Sequence, residues 1–310
     1  MKSESAWEWL RGRSGLSRSV GGMEFSMIRN SRRLMVVAIR AARVLVLVAT
    51  LGWVWPGGSL GAGLGAHRVD PAQVVPLDQL PAASREEVAE VIRDATFHRQ
   101  SEPDTFPCDG NLYLHLVNEP LLPLNLWKDL ADSPVQLRKI APNRYQGSDG
   151  SGSTAIWEFV HRSARLHVML AYFNFVSPRG NARVEARIVL LVHADYVRSS
   201  GGEPMVRHDV EAFVKVDSKG WKTLARTVRP VVERVLEDQV REAGYFISLM
   251  SRLVINYPNW ACQVVNSRTD IDPAMRKKFR DMVERNRKPG ASSGRPSVLR
   301  EDTAMSERRR

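Results

Sequence analysis

The sequence predicts an α+β domain in which an antiparallel sheet of six or seven strands packs against one long carboxy-terminal helix. Between residues 135 and 217, short runs alternate apolar and polar side chains and are separated by turn-forming segments, which is typical of antiparallel hairpins. From Gly220 the apolar residues recur every three or four positions, as they do on one face of a helix. That helix is the only element with an apolar stripe long enough to cover the sheet.

The amino-terminal region has the composition of an export signal. Residues 44–55 (VLVLVATLGWVW) form an apolar run of twelve residues, and no charged residue occurs between Arg43 and His67. Basic flanks stay in the cytoplasm, so the arginines before this run predict that the chain after it crosses the membrane. The length of the run suits a signal peptide, with a cleavage site among the small residues up to Ala66, better than a full membrane span of about twenty residues. An uncleaved membrane anchor and a buried core helix are the alternatives. With a signal or an anchor, the domain lies outside the cytoplasm, periplasmic or extracellular.

Positive charge is concentrated at the two ends of the chain. Residues 1–58 contain nine Lys and Arg against three Asp and Glu, and residues 267–310 contain thirteen against seven. The stretch between them has 23 basic and 24 acidic residues. A nucleic-acid-binding domain needs a basic face to replace the counterions of phosphates. The nearly neutral middle therefore argues against nucleic acid as a partner.

Only two cysteines occur, Cys108 and Cys262, near the two ends of the expected domain. In an oxidising compartment they can form one disulfide, which would stabilise the fold by roughly 4 to 5 kcal/mol because it closes a very long loop. Two unrelated buried thiols fit the sequence equally well. No spacing typical of cysteine metal ligands is present, and no cofactor is expected.

A linker and short elements are predicted before the sheet. Residues 67–83 are rich in Pro, Val and Ala and lack helical periodicity. A helix is expected from Ser84 to Phe97, because Ser84 and Glu87 match a capping box and apolar residues follow at helical spacing. Further along, the pattern predicts a loop over residues 101–110, a strand or a helical turn over 112–117, and a short helix over 124–130.

The strand predictions follow in chain order, each ended by turn chemistry. They cover residues 135–140, a weak strand at 144–146, and then 155–160, 166–175, 184–194 and 206–217. In the last strand His208 shares one face with four valines and an alanine, while charged residues take the other face. This register places the imidazole on the face that turns away from water.

The strand at 166–175 (LHVMLAYFNF) is apolar on both faces. If only one face of this strand lined a cavity, its other face would be exposed to water and would carry polar side chains. Its outer face therefore needs a cover, either the helix that begins near Ser84 or a second copy of the chain in a homodimer.

The long helix is predicted over residues 231–254. Pro230 should separate it from a first segment at 221–227 or kink it, and Tyr257 with Pro258 should end it. At about 1.5 Å per residue, such a helix crosses a whole sheet. Asp272 and Pro273 then start a short basic helix that suits either solvent or an anionic lipid surface, and residues 292–310 have the composition of a disordered tail.

This order of elements resembles the START-like (SRPBCC) helix-grip superfamily, with its polyketide-cyclase and lipid-transport relatives. The resemblance spans roughly residues 112–265 and is carried by PLNLWKDLADSP before the sheet, GSGSTAIWEF after a glycine turn, and the segment from FVKVDSKGW to SLMSRLV. It implies a curved sheet wrapped on the long helix, with an apolar cavity that holds a lipid, sterol or aromatic small molecule. The expected organisation is a basic leader with the signal or anchor (1–66), a linker with an accessory helix (67–105), the helix-grip domain (106–266) and a basic tail (267–310).

Apolar and aromatic side chains and one histidine are expected to contact a ligand in this cavity. These residues are Trp157, Phe159, Tyr172, Val192, His208, Val210, Phe246 and Met250. For Trp157 and Tyr172, ordinary core packing is the competing interpretation. His208 is either one of the few polar groups that orient the ligand or a neutral core imidazole satisfied by the backbone or by Tyr172.

A metal site is not expected from the four histidines of the strand region, His161, His167, His193 and His208. His161 should face inward with Phe159, whereas His193 faces outward, and no ligand spacing recurs. The leading hypothesis is a protein that binds or carries an apolar small molecule or lipid. A cyclase- or hydrolase-type enzyme with His208 as general base, and a structural envelope protein with a filled cavity, are the alternatives.

Overall fold

The described residues of the computed structural model form seven α-helices and one eight-stranded, curved antiparallel sheet. The structure describes residues 69–131, 133–176, 183–217 and 221–287, without the side chains of 221–233 and 235. The predicted signal at 44–55 and the tail at 292–310 lie outside these residues. None of the described helices combines the length and the apolar character that crossing a membrane requires.

The helices are α1 (Pro71–Val74), α2 (Ala82–Arg93), α3 (Gly110–Asn118), α4 (Leu121–Leu130), α5 (Trp221–Asn256), α6 (Pro258–Ser267) and α7 (Pro273–Arg285). The strands are β1 (Phe97–Gln100), β2 (Asp104–Pro107), β3 (Gln136–Ala141), β4 (Arg144–Ser148), β5 (Ser153–Arg162), β6 (Leu166–Val176), β7 (Arg183–Arg198) and β8 (Pro204–Val216). The sheet order is β1-β8-β7-β6-β5-β4-β3, and β2 also pairs with β8. The predicted fold class is confirmed, and β1 and β2 add to the expected six or seven strands.

The outer face of the sheet is covered by α2. Val88, Val91 and Ile92 of this helix are buried in one apolar cluster with Phe213 of β8 and with residues of β5, β6 and β7. The cover that the doubly apolar strand β6 requires is therefore the accessory helix and not a second copy of the chain. The capping box predicted at Ser84 is wrong, because the helix already begins at Ala82 after Pro81 and has no side-chain cap.

Ion pairs hold α2 on this face. Arg187 of β7 donates to Glu90 of α2 at 2.6 Å and to Asp217 at 2.8 Å. Lys215 of β8 donates to Glu90 as well. Hydrogen bonds from Arg187 and then from Lys215 lower the pKa of Glu90 to about 2, so this carboxylate stays charged.

Helix α5 is one continuous helix of 36 residues. Of the two alternatives predicted for Pro230, a separate first segment is wrong, because helical structure runs through this residue from Trp221. The helix ends at Asn256, as Tyr257 and Pro258 predict, and α6 begins at Pro258. Its carboxy-terminal part is buried against α3, α4 and α6, in a cluster that also takes up Phe279, Met282 and Val283 of α7. Because its apolar side is buried there, α7 does not present that side to a lipid surface.

Two histidines share one carboxylate on the outer face of the sheet. His98 Nε2 lies 2.7 Å and His193 Nε2 lies 3.4 Å from the two oxygens of Glu211, whose side chain is 12 % exposed. The hydrogen bond to Glu211 raises the pKa of His193, and Asp209 and Asp195 add to it. Burial alone would raise the pKa of Glu211, but hydrogen bonds from His193 and His98 outweigh it and lower that pKa to about 2.

These shifts predict a pH-dependent contribution to stability. The His193 contribution is fully present below about pH 6.5 and is lost as the pH rises through the raised pKa of the folded state. The Glu211 contribution is present above about pH 4.5 and is lost as the pH falls toward 2. Glu211→Gln should therefore lower the free energy of unfolding more at about pH 5.5 than at about pH 8 in urea denaturation. Glu185→Gln, which removes an exposed ion pair with Arg183, is the control. If Glu211→Gln lowered the free energy of unfolding equally at both pH values, the pH dependence could not come from the pairing of His193 with Glu211.

Candidate functional site

The concave face of the sheet, beneath α5, is the candidate site. Near β8 this face is sealed, because Val240 of α5 packs in one buried cluster with Val192, Val210 and Ala212. Toward β5 and β6, the inward apolar side chains are only half-buried. These are Trp157, Met169, Ala171, Ile188 and Leu190.

The structure places the predicted ligand-binding residues in three groups. Val192 and Val210 meet α5, and Trp157 and Phe159 surround Tyr145 of β4, with ring centroids 6.4 and 6.1 Å from it. Phe246 and Met250 belong instead to the cluster in which the carboxy-terminal part of α5 packs against α3, α4 and α6. There the ring of Phe246 lies edge-on to Trp127 of α4 at 6.2 Å. Only the first two groups border the half-buried part of the concave face.

The inward position predicted for Tyr172 is wrong. Tyr172 is 41 % exposed on the outer face, and its hydroxyl donates to Glu87 of α2 at 2.5 Å. Its neighbours Met169 and Ala171 belong to the concave face. Because β6 is apolar on both sides, the alternation of its sequence cannot tell which set of residues faces inward.

His161 also departs from its predicted place. A bulge between Phe159 and His161 shifts the pairing, so that His161 lies opposite Val168 and Arg162 lies opposite His167. Val168 is buried on the outer face. The residue that joins the concave face after Phe159 is therefore Arg162.

His208 is sealed within the core, with 1 % of its surface exposed. Its Nδ1 lies 3.1 Å from the hydroxyl of Tyr113 on α3, and the ring of Phe106 meets it edge-on at 5.1 Å. Burial lowers the pKa of His208, so the ring is neutral at physiological pH. The partner of the imidazole is thus Tyr113 and not Tyr172. The enzymatic alternative requires this histidine to reach open space, which it does not do here.

Asp104 lies directly across from His208, in the register of β2 and β8. One of its carboxylate oxygens accepts from Arg252 of α5 at 3.4 Å, and the other is buried without a partner. The sequence did not point to Asp104 or Tyr113, because Asp104 lies in a segment expected to be a loop and Tyr113 in one whose structure its pattern left open.

A second group of buried polar side chains lies at the far end of the concave face. We define the polar cluster as Asn118, Glu119, Tyr145, Arg162 and His167. Five of its atoms are buried and make no hydrogen bond within 3.5 Å: Glu119 Oε2, the Tyr145 hydroxyl, Arg162 Nε and Nη2, and His167 Nδ1. The Tyr145 hydroxyl lies close to both Arg162 and Glu119. Unsatisfied buried groups are costly, so such a concentration marks a candidate site.

The protonation states in the polar cluster follow from burial. His167 Nε2 lies 3.2 Å from Asn118 Oδ1, and burial, with the nearby Arg162, lowers the pKa of His167 to about 4. A neutral ring that donates through Nε2 leaves Nδ1 as an acceptor. Burial and the adjacent Glu119 raise the pKa of Tyr145, so its hydroxyl keeps its proton. Arg162 is therefore the cation of the cluster.

Both cysteines are free thiols, so the possible disulfide between Cys108 and Cys262 is not formed. Burial raises the pKa of Cys108 to about 12, which makes this thiol unreactive. Among the described residues, no group of three or more His, Cys, Asp or Glu side chains is arranged to hold a metal ion.

Several solved structures align with about half of this chain. A conserved protein from Geobacillus kaustophilus aligns over 51 % of this chain and 97 % of its own, at 8 % identity and a TM-score of 0.31. Ara h 8.0201 aligns over 49 % of this chain and 98 % of its own, at 13 % identity and a TM-score of 0.27. A START superfamily protein from Mycobacterium smegmatis aligns over 47 % and 98 %, at 12 % identity and a TM-score of 0.22. No family model and no curated protein matches the chain. The curved antiparallel sheet and its long covering helix confirm the predicted helix-grip architecture. Similarity to solved structures at this level shows neither a family nor a function for the chain.

Proposed function

We propose that this START-like domain binds a small apolar molecule on the concave face of its sheet, beneath α5. The observation that carries the proposal is the half-buried apolar surface formed by Trp157, Met169, Ala171, Ile188 and Leu190. Side chains that serve only as core are sealed, as Val206 is with 0 % exposure. Inward apolar side chains that stay accessible form a surface that a ligand can cover.

The polar cluster supports the same proposal. Ligand pockets are mostly apolar and contain a few polar groups that fix the orientation of the ligand. The ring of Phe159, which packs against Tyr145 beside the half-buried apolar surface, also contacts the polar cluster. The guanidinium of Arg162 lies over this ring, and the ring of His167 meets it edge-on. An elongated molecule can thus lie on the apolar surface with one end at the polar cluster.

A lipid or lipid-like cargo carried outside the cytoplasm is the form of this function that the apolar run at 44–55 favours. The export signal or anchor, and contact with the membrane through that run, stay predictions. A structural role through pairing of β6 with a second copy has less support, because α2 covers the outer face of that strand.

Solvent extraction of the purified full-length chain, followed by mass spectrometry, tests the proposal. We expect one apolar molecule per chain, retained through purification or taken up from a total lipid extract. Chain unfolded in urea and carried through the same steps is the control, and it should retain nothing. Equal amounts of extracted molecules from the folded and unfolded samples would contradict the proposal.

A further inference from the structure

We infer that the molecule bound on the concave face carries a carboxylate, which Arg162 recognises. This inference rests on the proposed function, and it adds the chemical class of the ligand. Arg162 ends β5, and the bulge after Phe159 turns its side chain to the concave face, opposite His167. The guanidinium lies over the ring of Phe159, with its Cζ 4.0 Å from the ring centroid. The aromatic face therefore fixes the plane of the cation.

The free edge of this guanidinium is the one that binds carboxylates. Nε and Nη2 of Arg162 are both buried and make no hydrogen bond within 3.5 Å, although the Tyr145 hydroxyl lies near the guanidinium. These two N–H groups are parallel, and together they match the two oxygens of a carboxylate in a bidentate pair. A buried guanidinium that lacks such a pair is costly, so an anionic group from a ligand would gain a strong, charge-assisted interaction.

The neighbours of Arg162 do not offer a competing cation. His167 is held neutral, with a pKa of about 4. The Tyr145 hydroxyl is protonated and lies beside Glu119, to which it can offer its proton. Attraction for an anion at this end of the concave face therefore comes from Arg162, and it must exceed the repulsion from Glu119, the carboxylate of the polar cluster.

A continuous apolar wall connects Arg162 with the half-buried surface. Phe159 and Tyr145 form one buried cluster with Met169 packed against it, and Met169 also packs against the cluster that includes Val240 of α5. A ligand with its carboxylate at Arg162 can therefore place an alkyl or aromatic body along Met169 and Trp157.

Fluorescence titration of the full-length chain with cis-parinaric acid and with its methyl ester tests this inference. At about pH 7.5 the acid is ionised and the ester is neutral, while the alkyl chains are the same. We expect the acid to bind at least about tenfold more tightly than the ester. Arg162→Met should remove this preference by weakening the binding of the acid at least about tenfold, whereas Arg165→Met, which removes an exposed arginine three residues further along, should retain the preference.

Four outcomes would contradict the carboxylate inference, and the last of them would also contradict the proposed function. Equal binding of acid and ester by the unaltered chain overturns the inference, and this comparison does not depend on the folding of any variant. A preference for the acid that persists in Arg162→Met overturns it as well. If the neutral dye Nile red binds but neither parinaric compound does, the carboxylate inference fails and the proposed function stands. If none of the three probes binds, the proposed function fails too.

Discussion

Replacing Phe213 with alanine is expected to lower the free energy of unfolding by about 3 to 5 kcal/mol. Phe213 is fully buried on the outer face of β8, in the cluster that α2 closes. His98 stacks on its ring, with the ring centroids 4.3 Å apart. Alanine would leave a cavity between the sheet and α2 that paired strands cannot collapse to fill. Urea denaturation of the full-length chain, followed by circular dichroism, measures the loss.

Tyr172→Phe is the matched control on the same face. Tyr172 is 41 % exposed and would lose only its hydrogen bond to Glu87. Its replacement should therefore cost less than about 1.5 kcal/mol. If Phe213→Ala cost as little as this control, α2 would not be the buried cover of the sheet that the structure describes.

The largest effect on binding is expected from Ala171→Trp. Ala171 lies in the middle of β6, with Trp157 and Ile188 as its cross-strand neighbours. All three side chains are half-buried on the concave face. An indole at this position would occupy the surface proposed for the ligand. Because it would extend into accessible space and not into a sealed core, we expect the fold to be retained and ligand binding to weaken by at least about tenfold.

The sheet and the long helix could be predicted because both have long, regular patterns. In β7 and β8 the alternation extends over many residues, and one face must be apolar for the strand to be buried. The stripe of α5 is likewise set by helical geometry. β1 and β2 have four residues each, too few for a period to show, and they are strands because β8 offers them hydrogen-bonding partners.

The candidate site could be predicted only in part. The burial of His208 follows from the alternation of residues 206–216 in β8, which only Phe213 on the outer face interrupts. The place of Arg162 does not, because a bulge shifts the register by one residue and depends on the pairing of β5 with β6. Tyr145 lies in a short strand between turns, and its burial follows from Trp157, Phe159 and Leu121 packing around it. Such contacts join residues far apart in the chain, so no local pattern reveals them.

Titration of the full-length chain with Nile red, before and after Ala171→Trp, tests the proposed binding surface most directly. Nile red is neutral, so the result does not depend on Arg162. The unaltered chain should bind one dye molecule, Ala171→Trp should lose that binding, and Thr154→Trp, at an exposed position of the neighbouring strand β5, should retain it. Urea denaturation midpoints would show that both variants are folded. Equal binding by all three proteins, or by none of them, would contradict a ligand site between the sheet and α5.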